Sequence, residues 1–159
     1  MTSMISCTTQ DESVTFLQVA NLYESVGFGS SSFYVDDKEF KKAFFCPGTY
    51  RCFAFANDIE LIGMARVFSD NKICSWIAEL CVHPEWRNQG VANKLLNLII
   101  ERSGHTAIYV DALSGTEGLY AKLGINPKKS LVACSRAGKP TELSPDSKCL
   151  SSKFPGEKC

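Results

Sequence analysis

The first recurring pattern along the chain is helical. Phe16, Val19, Ala20 and Tyr23 stand three and four residues apart, which predicts a helix with one apolar face. Asp11 and Glu12 suit its positive end, and the run 27–32, Gly-Phe-Gly-Ser-Ser-Ser, stops it. A second short helix is expected to begin near Asp36 and Asp37 and to turn Phe40 and Phe44 inward. The pattern then changes to strand. Residues 50–56, 59–68 and 73–82 are rich in aromatic and β-branched side chains, with Asn57-Asp58 and Asp70-Asn71 as the turns between them. They predict an antiparallel meander.

Helical spacing returns after Pro84. Val91, Leu95 and Ile99 form one row, Ala92, Leu96 and Ile100 the next, and Gly104 closes the helix. Residues 106–112 read as a short apolar strand. Ser114-Gly115-Thr116-Glu117 has the form of a capping box and opens another helix, which stops at Gly124 before Pro127. Residues 131–135 are the last expected strand. Beyond Gly138, Pro, Ser and Lys dominate, so the reading is one domain over 1–137 and a tail over 138–159. The element order is two helices, then β-β-β-α-β-α-β, with a short first strand near Ile5. No internal repeat is visible.

Composition narrows the function classes. The 159 residues suffice for one domain with a core, and 45% hydrophobic with 21% charged residues is an ordinary globular balance. Lys+Arg and Asp+Glu are both 17. A nucleic-acid binder carries a basic excess, so DNA and RNA are not expected partners. The eight cysteines, Cys7, Cys46, Cys52, Cys74, Cys81, Cys134, Cys149 and Cys159, form no C-x-x-C pair, and His83 and His105 are the only histidines. That scatter predicts no metal site. Cys52, Cys74, Cys81 and Cys134 lie in apolar runs and are expected to be small core residues. Residues 1–9 lack the features of a signal peptide and no segment has the roughly 20 apolar residues of a membrane span. Unpaired thiols then suit the cytoplasm, with no membrane partner.

The informative segment is 79–93. A strand ends at Glu79-Leu80-Cys81-Val82, a turn follows through His83-Pro84, and Arg87-Asn88-Gln89-Gly90-Val91-Ala92-Asn93 enters a helix. The first amides of a helix lack helical partners and its dipole is positive there, so such a turn can hold a pyrophosphate. Gly90 has no Cβ to obstruct the approach, Ala92 is small and Arg87 adds a cation. Neither the P-loop nor the G-x-G-x-x-G pattern is present.

Arg87-Asn88-Gln89-Gly90-Val91-Ala92 resembles the Arg/Gln-x-x-Gly-x-Gly/Ala coenzyme A signature of the GNAT acyltransferase superfamily. Leu80 to Pro84 is similar to the strand that leads into it, and Leu119-Tyr120-Ala121-Lys122-Leu123-Gly124-Ile125 to the family's F-Y-x-x-x-G-F segment. The likeness spans about 50–135 in the family's order. It implies an α/β (α+β) fold, a mixed, mostly antiparallel central sheet flanked by helices, with a splayed strand pair holding coenzyme A. It implies acetyl-CoA as co-substrate, with no metal. The backbone at Leu80, Cys81 and Val82 would pair with the pantetheine arm. The segment Arg87, Asn88, Gln89, Gly90, Val91, Ala92 and Asn93 would hold the pyrophosphate. A neutral amine would attack the thioester directly.

Direct transfer needs a group that takes the amine proton and one that protonates the leaving thiolate. Tyr120 matches the family's thiolate-protonating tyrosine; the competing reading is a core aromatic. Glu79 is the one charge within strand 73–82, a costly position unless the carboxylate is paired or used. It is the candidate base, with a structural ion pair as the alternative. Glu117 reads as a cap and His83 as a turn residue. A covalent route through Cys81 would need a base partner. Leu113 and its neighbours lack the asparagine often found before the tyrosine helix, and the short last strands suggest a closing hairpin altered or completed by a second copy, as in a homodimer. The resemblance implies a small-molecule or protein amine as acceptor. Phe28, Phe33, Tyr34, Phe40, Phe44 and Phe45, beside Asp36, Asp37 and Glu39, would form either an aromatic acceptor pocket or core packing. A second function class is a coenzyme A-binding module of the same fold without turnover.

Overall fold

In the computed structural model, residues 4–136 are described. Strand β1 (Ile5–Thr8) leads through a 3-10 turn at Asp11–Ser13 into α1 (Phe16–Ser25), α2 (Ser31–Asp36) and α3 (Lys38–Phe44). Then come β2 (Thr49–Ala56), β3 (Glu60–Ser69), β4 (Cys74–Val82), α4 (Val91–Ser103), β5 (Ala107–Val110) and α5 (Glu117–Ala121). The five strands lie side by side in chain order, antiparallel from β1 to β4, with β5 parallel to β4. This is the mixed, mostly antiparallel sheet flanked by helices that the resemblance implied.

The sheet carries a core on each face. On one side Val91, Leu95, Leu96 and Ile99 of α4 and Tyr120 of α5 pack on Cys52, Ala54, Ala65, Val67 and Ile77. Burying each large α4 side chain stabilises the fold by about 1.5–3 kcal/mol. On the other side Phe16, Val19, Tyr23, Tyr34 and Phe44 pack on Phe53, Phe55 and Met64. Strand β2 is covered on both faces, which is why all of its residues after Thr49 are buried rather than every second one. Asn57 and Asp58 both adopt positive φ, 49° and 60°, in the tight turn joining β2 to β3.

Gly63 sets how closely α4 approaches the sheet. A Cβ there would lie 2.7 Å from Cγ1 of Val91 and 3.2 Å from Cδ1 of Leu95. Val91 is short and branched, so it cannot swing aside. Gly63→Ala is therefore expected to cost about 1–3 kcal/mol, read as a fall in thermal midpoint of about 2–4 °C per kcal/mol.

Several local expectations are corrected. The helix expected from Asp11 starts at Phe16, because Thr15 and Gln18 form the capping box that Asp11 does not. Asp11 instead grips Arg51 through both carboxylate oxygens, at 2.8 and 2.7 Å. The serine run expected as a loop begins α2, and Asp37, accepting the amides of Glu39 and Phe40, caps α3. The Ser114–Glu117 capping box does not form: α5 follows Thr116, whose hydroxyl turns back to the Leu113 carbonyl. Residues 131–135 form no strand, and Leu131 and Val132 are 65% and 85% exposed. The run is short, two lysines precede it, and no ladder partner meets it among the described residues. Cys52 and Cys81 are buried as expected, but Cys74 and Cys134 are exposed.

The compact unit that carries the sheet ends at Lys128. The tail expected over 138–159 lies outside the described residues. Among those described, no helix is long and apolar enough to cross a membrane, and no three His, Cys, Asp or Glu side chains cluster to hold a metal ion.

Candidate active site

Strands β4 and β5 part company midway along β4. Pairing runs from Cys74–Ala107 to Ile77–Val110 and stops, whereas β4 continues beside β3 until Val82 meets Gly63. The parting coincides with a bulge: Arg66 faces Glu79 and Val67 faces Ile77, so Ala78 is the extra residue. Leu80, Cys81 and Val82 lie on the stretch of β4 that β5 has left. Cys81 turns into the core beneath α1–α3, while Leu80 and Val82 pack toward α4. The fork opens toward the start of α4.

That start is a turn of unusual backbone. Asn88 and Gly90 adopt left-handed φ of 61° and 81°, and at Gly90 any side chain would be strained. Gly90 caps α4 without a side-chain bond. No hydrogen bond among the described residues engages the amides of Asn88, Gln89, Gly90, Val91, Ala92 or Asn93, and the first helical bond there is Lys94 N–H to the Gly90 carbonyl, at 3.1 Å. Arg87, Asn88, Gln89, Gly90 and Asn93 are exposed, Ala92 is half-buried and Val91 anchors the helix in the core. Arg87 Nε donates to the Val82 carbonyl at 3.3 Å, tying the turn to the end of β4. Gln89 Nε2 donates to the Glu85 carbonyl at 2.9 Å. His83 caps the intervening 3-10 turn, as expected for a turn residue. Consecutive outward amides at a helix start form an anion cradle, so the turn fits a pyrophosphate.

Tyr120 and Glu79 occupy opposite faces of the sheet. Tyr120, on α5, is buried in the α4-side core. No hydrogen bond among the described residues ties down its hydroxyl. Burial raises its pKa above the usual tyrosine range. The phenol therefore keeps its proton at neutral pH.

Glu79 lies on the α1–α3 side, held by two neighbours. Arg66 Nη2 donates to Oε1 at 2.7 Å and the Tyr23 hydroxyl donates to Oε2. The Arg66 and Glu79 side chains are 15% and 11% exposed. Burial works against the Arg66 charge, but Glu79 outweighs it and holds the guanidinium pKa above its ordinary value. Burial, then the Glu79 carboxylate, pushes the Tyr23 phenol far up. Arg66 is sandwiched between the rings of Phe44 and Phe68, 5.6 and 5.3 Å from their centroids, and its Nε is buried without a partner.

The sequence singled out Glu79 but missed Arg66 and Tyr23. A tight turn at Asp70-Asn71 would set Arg66 opposite Ser75; the observed pairing of Ser69 with Ser75 and the bulge at Ala78 bring it opposite Glu79 instead. Tyr23 gave no signal, being one of a helical apolar row. Of the aromatic residues of 28–45, Phe28, Phe33, Phe40 and Phe45 are half-buried against the α1–α3 core. Tyr34 and Phe44 are buried, rings contact one another from Tyr23 to Phe45, and the Tyr34 hydroxyl donates to the Phe28 carbonyl.

Solved structures share this fold. A GNAT-family acetyltransferase from Streptococcus pneumoniae superposes with a TM-score of 0.65 at 17% identity, covering 84% of this chain and 100% of that one. Glucosamine-6-phosphate N-acetyltransferase from Arabidopsis thaliana gives 0.65 at 14%, covering 86% and 99%. An aminoglycoside acetyltransferase from an uncultured soil metagenomic sample gives 0.60 at 21%, covering 86% and 97%. No curated protein sequence matches the chain. The family model described as Acetyltransferase (GNAT) domain matches residues 19–132, most of the chain, and with the forked sheet this makes the protein a member of the GNAT acetyltransferase family.

Proposed function

We propose that the protein transfers an acetyl group from acetyl-CoA to a primary amine by direct attack. The observation that carries this reading is the row of unengaged amides from Asn88 to Asn93 where the β4–β5 fork opens. These amides and Arg87 would hold the pyrophosphate, and the β4 backbone at Leu80, Cys81 and Val82 would hold the pantetheine arm. Acetyl-CoA supplies the acyl group already activated as a thioester. Tyr120 keeps a proton on its hydroxyl for the departing sulfur.

Glu79 is the proposed acceptor of the amine proton. Arg66 and Tyr23 occupy two of the roughly four lone-pair sites of its carboxylate. They fix its orientation and leave sites for the amine or a bridging water. A base aimed by a third group is the arrangement that activates nucleophiles generally.

Thermal shift tests the cofactor assignment. A ligand that binds only the folded state stabilises it by about 2.7 kcal/mol at a hundredfold excess over Kd, so acetyl-CoA should raise the midpoint. Gly90→Glu places bulk, negative charge and positive-φ strain in the cradle, and should remove that shift while the protein remains folded. No shift and no calorimetric binding to wild type at millimolar acetyl-CoA would defeat the reading.

A further inference from the structure

On the face of the sheet that bears Arg66 and Glu79, three large aromatic side chains stand in the open. Phe68 of β3, Trp76 of β4 and Tyr109 of β5 are 44%, 43% and 45% exposed. They are successive partners in register, Phe68 opposite Trp76 and Trp76 opposite Tyr109. Trp76 and Tyr109 stack at 19° with centroids 6.1 Å apart. The row therefore presents broad π surface where a sheet strand ordinarily shows polar groups.

Its position bears on the reaction. Trp76–Tyr109 is the last register pair but one before β4 and β5 separate. Phe68 supports the Arg66 guanidinium, which in turn holds Glu79. A molecule whose ring rests on Trp76 and Tyr109 can extend along β4, past the end of the β4–β5 pairing, toward Glu79, three residues on and on the same face. A flat ring would stack on the Trp76–Tyr109 platform, and an ammonium on a short chain would remain near the indole face until deprotonated.

We propose that Phe68, Trp76 and Tyr109 form the acceptor platform and that Trp76 selects an amine joined by a short alkyl chain to an aromatic ring. The proposal rests on the acetyl-transfer reading, and it relocates acceptor recognition from the helical aromatics of 28–45 to the sheet. Trp76 acts through binding: its removal should change the acceptor KM and leave the acetyl-CoA thermal shift in place.

The test compares 2-phenylethylamine with n-butylamine, followed by thiol release from acetyl-CoA and by calorimetry in the presence of coenzyme A. Wild type is expected to favour 2-phenylethylamine by about tenfold in kcat/KM and in affinity, the scale of one to two ring contacts. Trp76→Ala should bring that ratio near one, chiefly through KM, and Trp76→Phe should restore most of it. Ring-dependent binding that Trp76→Ala abolishes, without any transfer, would keep the platform and sink the acetyl-transfer reading. Equal use and equal binding of both amines by wild type would overturn the platform, as would a preference that survives Trp76→Ala. Sedimentation gives one further outcome: a wild-type dimer that Trp76→Ala dissociates would make the row an interface between copies and overturn the proposal.

Discussion

Tyr120→Phe is expected to lower kcat by about 10²–10⁴-fold, the usual contribution of a positioned general acid, with little change in acetyl-CoA affinity. The substitution keeps the ring, and so keeps the packing of α5 against the α4-side core. It deletes only a hydroxyl that no described residue engages, so no buried partner is orphaned and the thermal midpoint should stay near wild type. A thiol with a pKa near 8.5, taking free cysteine as guide, leaves partly unaided, which places the loss toward the low end of the range. The pH profile supplies a second check. Burial raises the Tyr120 pKa, so the protonated, active form persists past pH 10. The alkaline loss of rate should fall above the ordinary tyrosine range in wild type and disappear in the variant. Wild-type turnover in Tyr120→Phe would leave the residue as core packing.

What the sequence made legible was whatever depends on local period. The meander, the α4 stripe and the turn at Gly90 follow from side-chain spacing and backbone chemistry within a few residues, and all three stand in the structure. The parting of β4 and β5 was expected only through the family likeness. In the structure it shows as a ladder that stops at Ile77 and Val110, beside a bulge at Ala78 whose alanine carries no distinctive signal. The misplaced helix starts have two causes, one at long range and one local. Asp11 is taken by Arg51, forty residues away, and Ser114 yields to a turn with positive φ at Gly115. The aromatic residues of 28–45 were left open in the sequence between an acceptor pocket and core packing, because spacing does not report burial. Burial separates Phe44, in the core, from Trp76, on the surface. The candidate base, acid and cradle residues were nominated one by one; how they lie relative to the fork is set by tertiary structure.

Glu79→Gln should lower both stability and rate, and the two losses separate by pH and by a second substitution. The amide keeps an acceptor for the Tyr23 hydroxyl but no longer offsets the Arg66 charge, whose Nε already lacks a partner. Breaking a fully buried pair costs about 3–5 kcal/mol. Here 11% and 15% side-chain exposure admits some solvent, so the expectation is about 2–3 kcal/mol, a fall of roughly 4–12 °C at this chain length. Adding Arg66→Met removes the stranded cation and should recover much of that stability, since an apolar replacement of a buried pair is often near neutral. Rate behaves differently if the carboxylate accepts the amine proton. Free amine is scarcest at low pH, so the loss in Glu79→Gln should be greatest there, and the double variant, though restabilised, should remain slow. Recovery of rate along with stability, and a pH profile shaped like that of wild type, would assign Glu79 to the clasp with Arg66 and Tyr23 and leave the amine to be deprotonated by another group or by water.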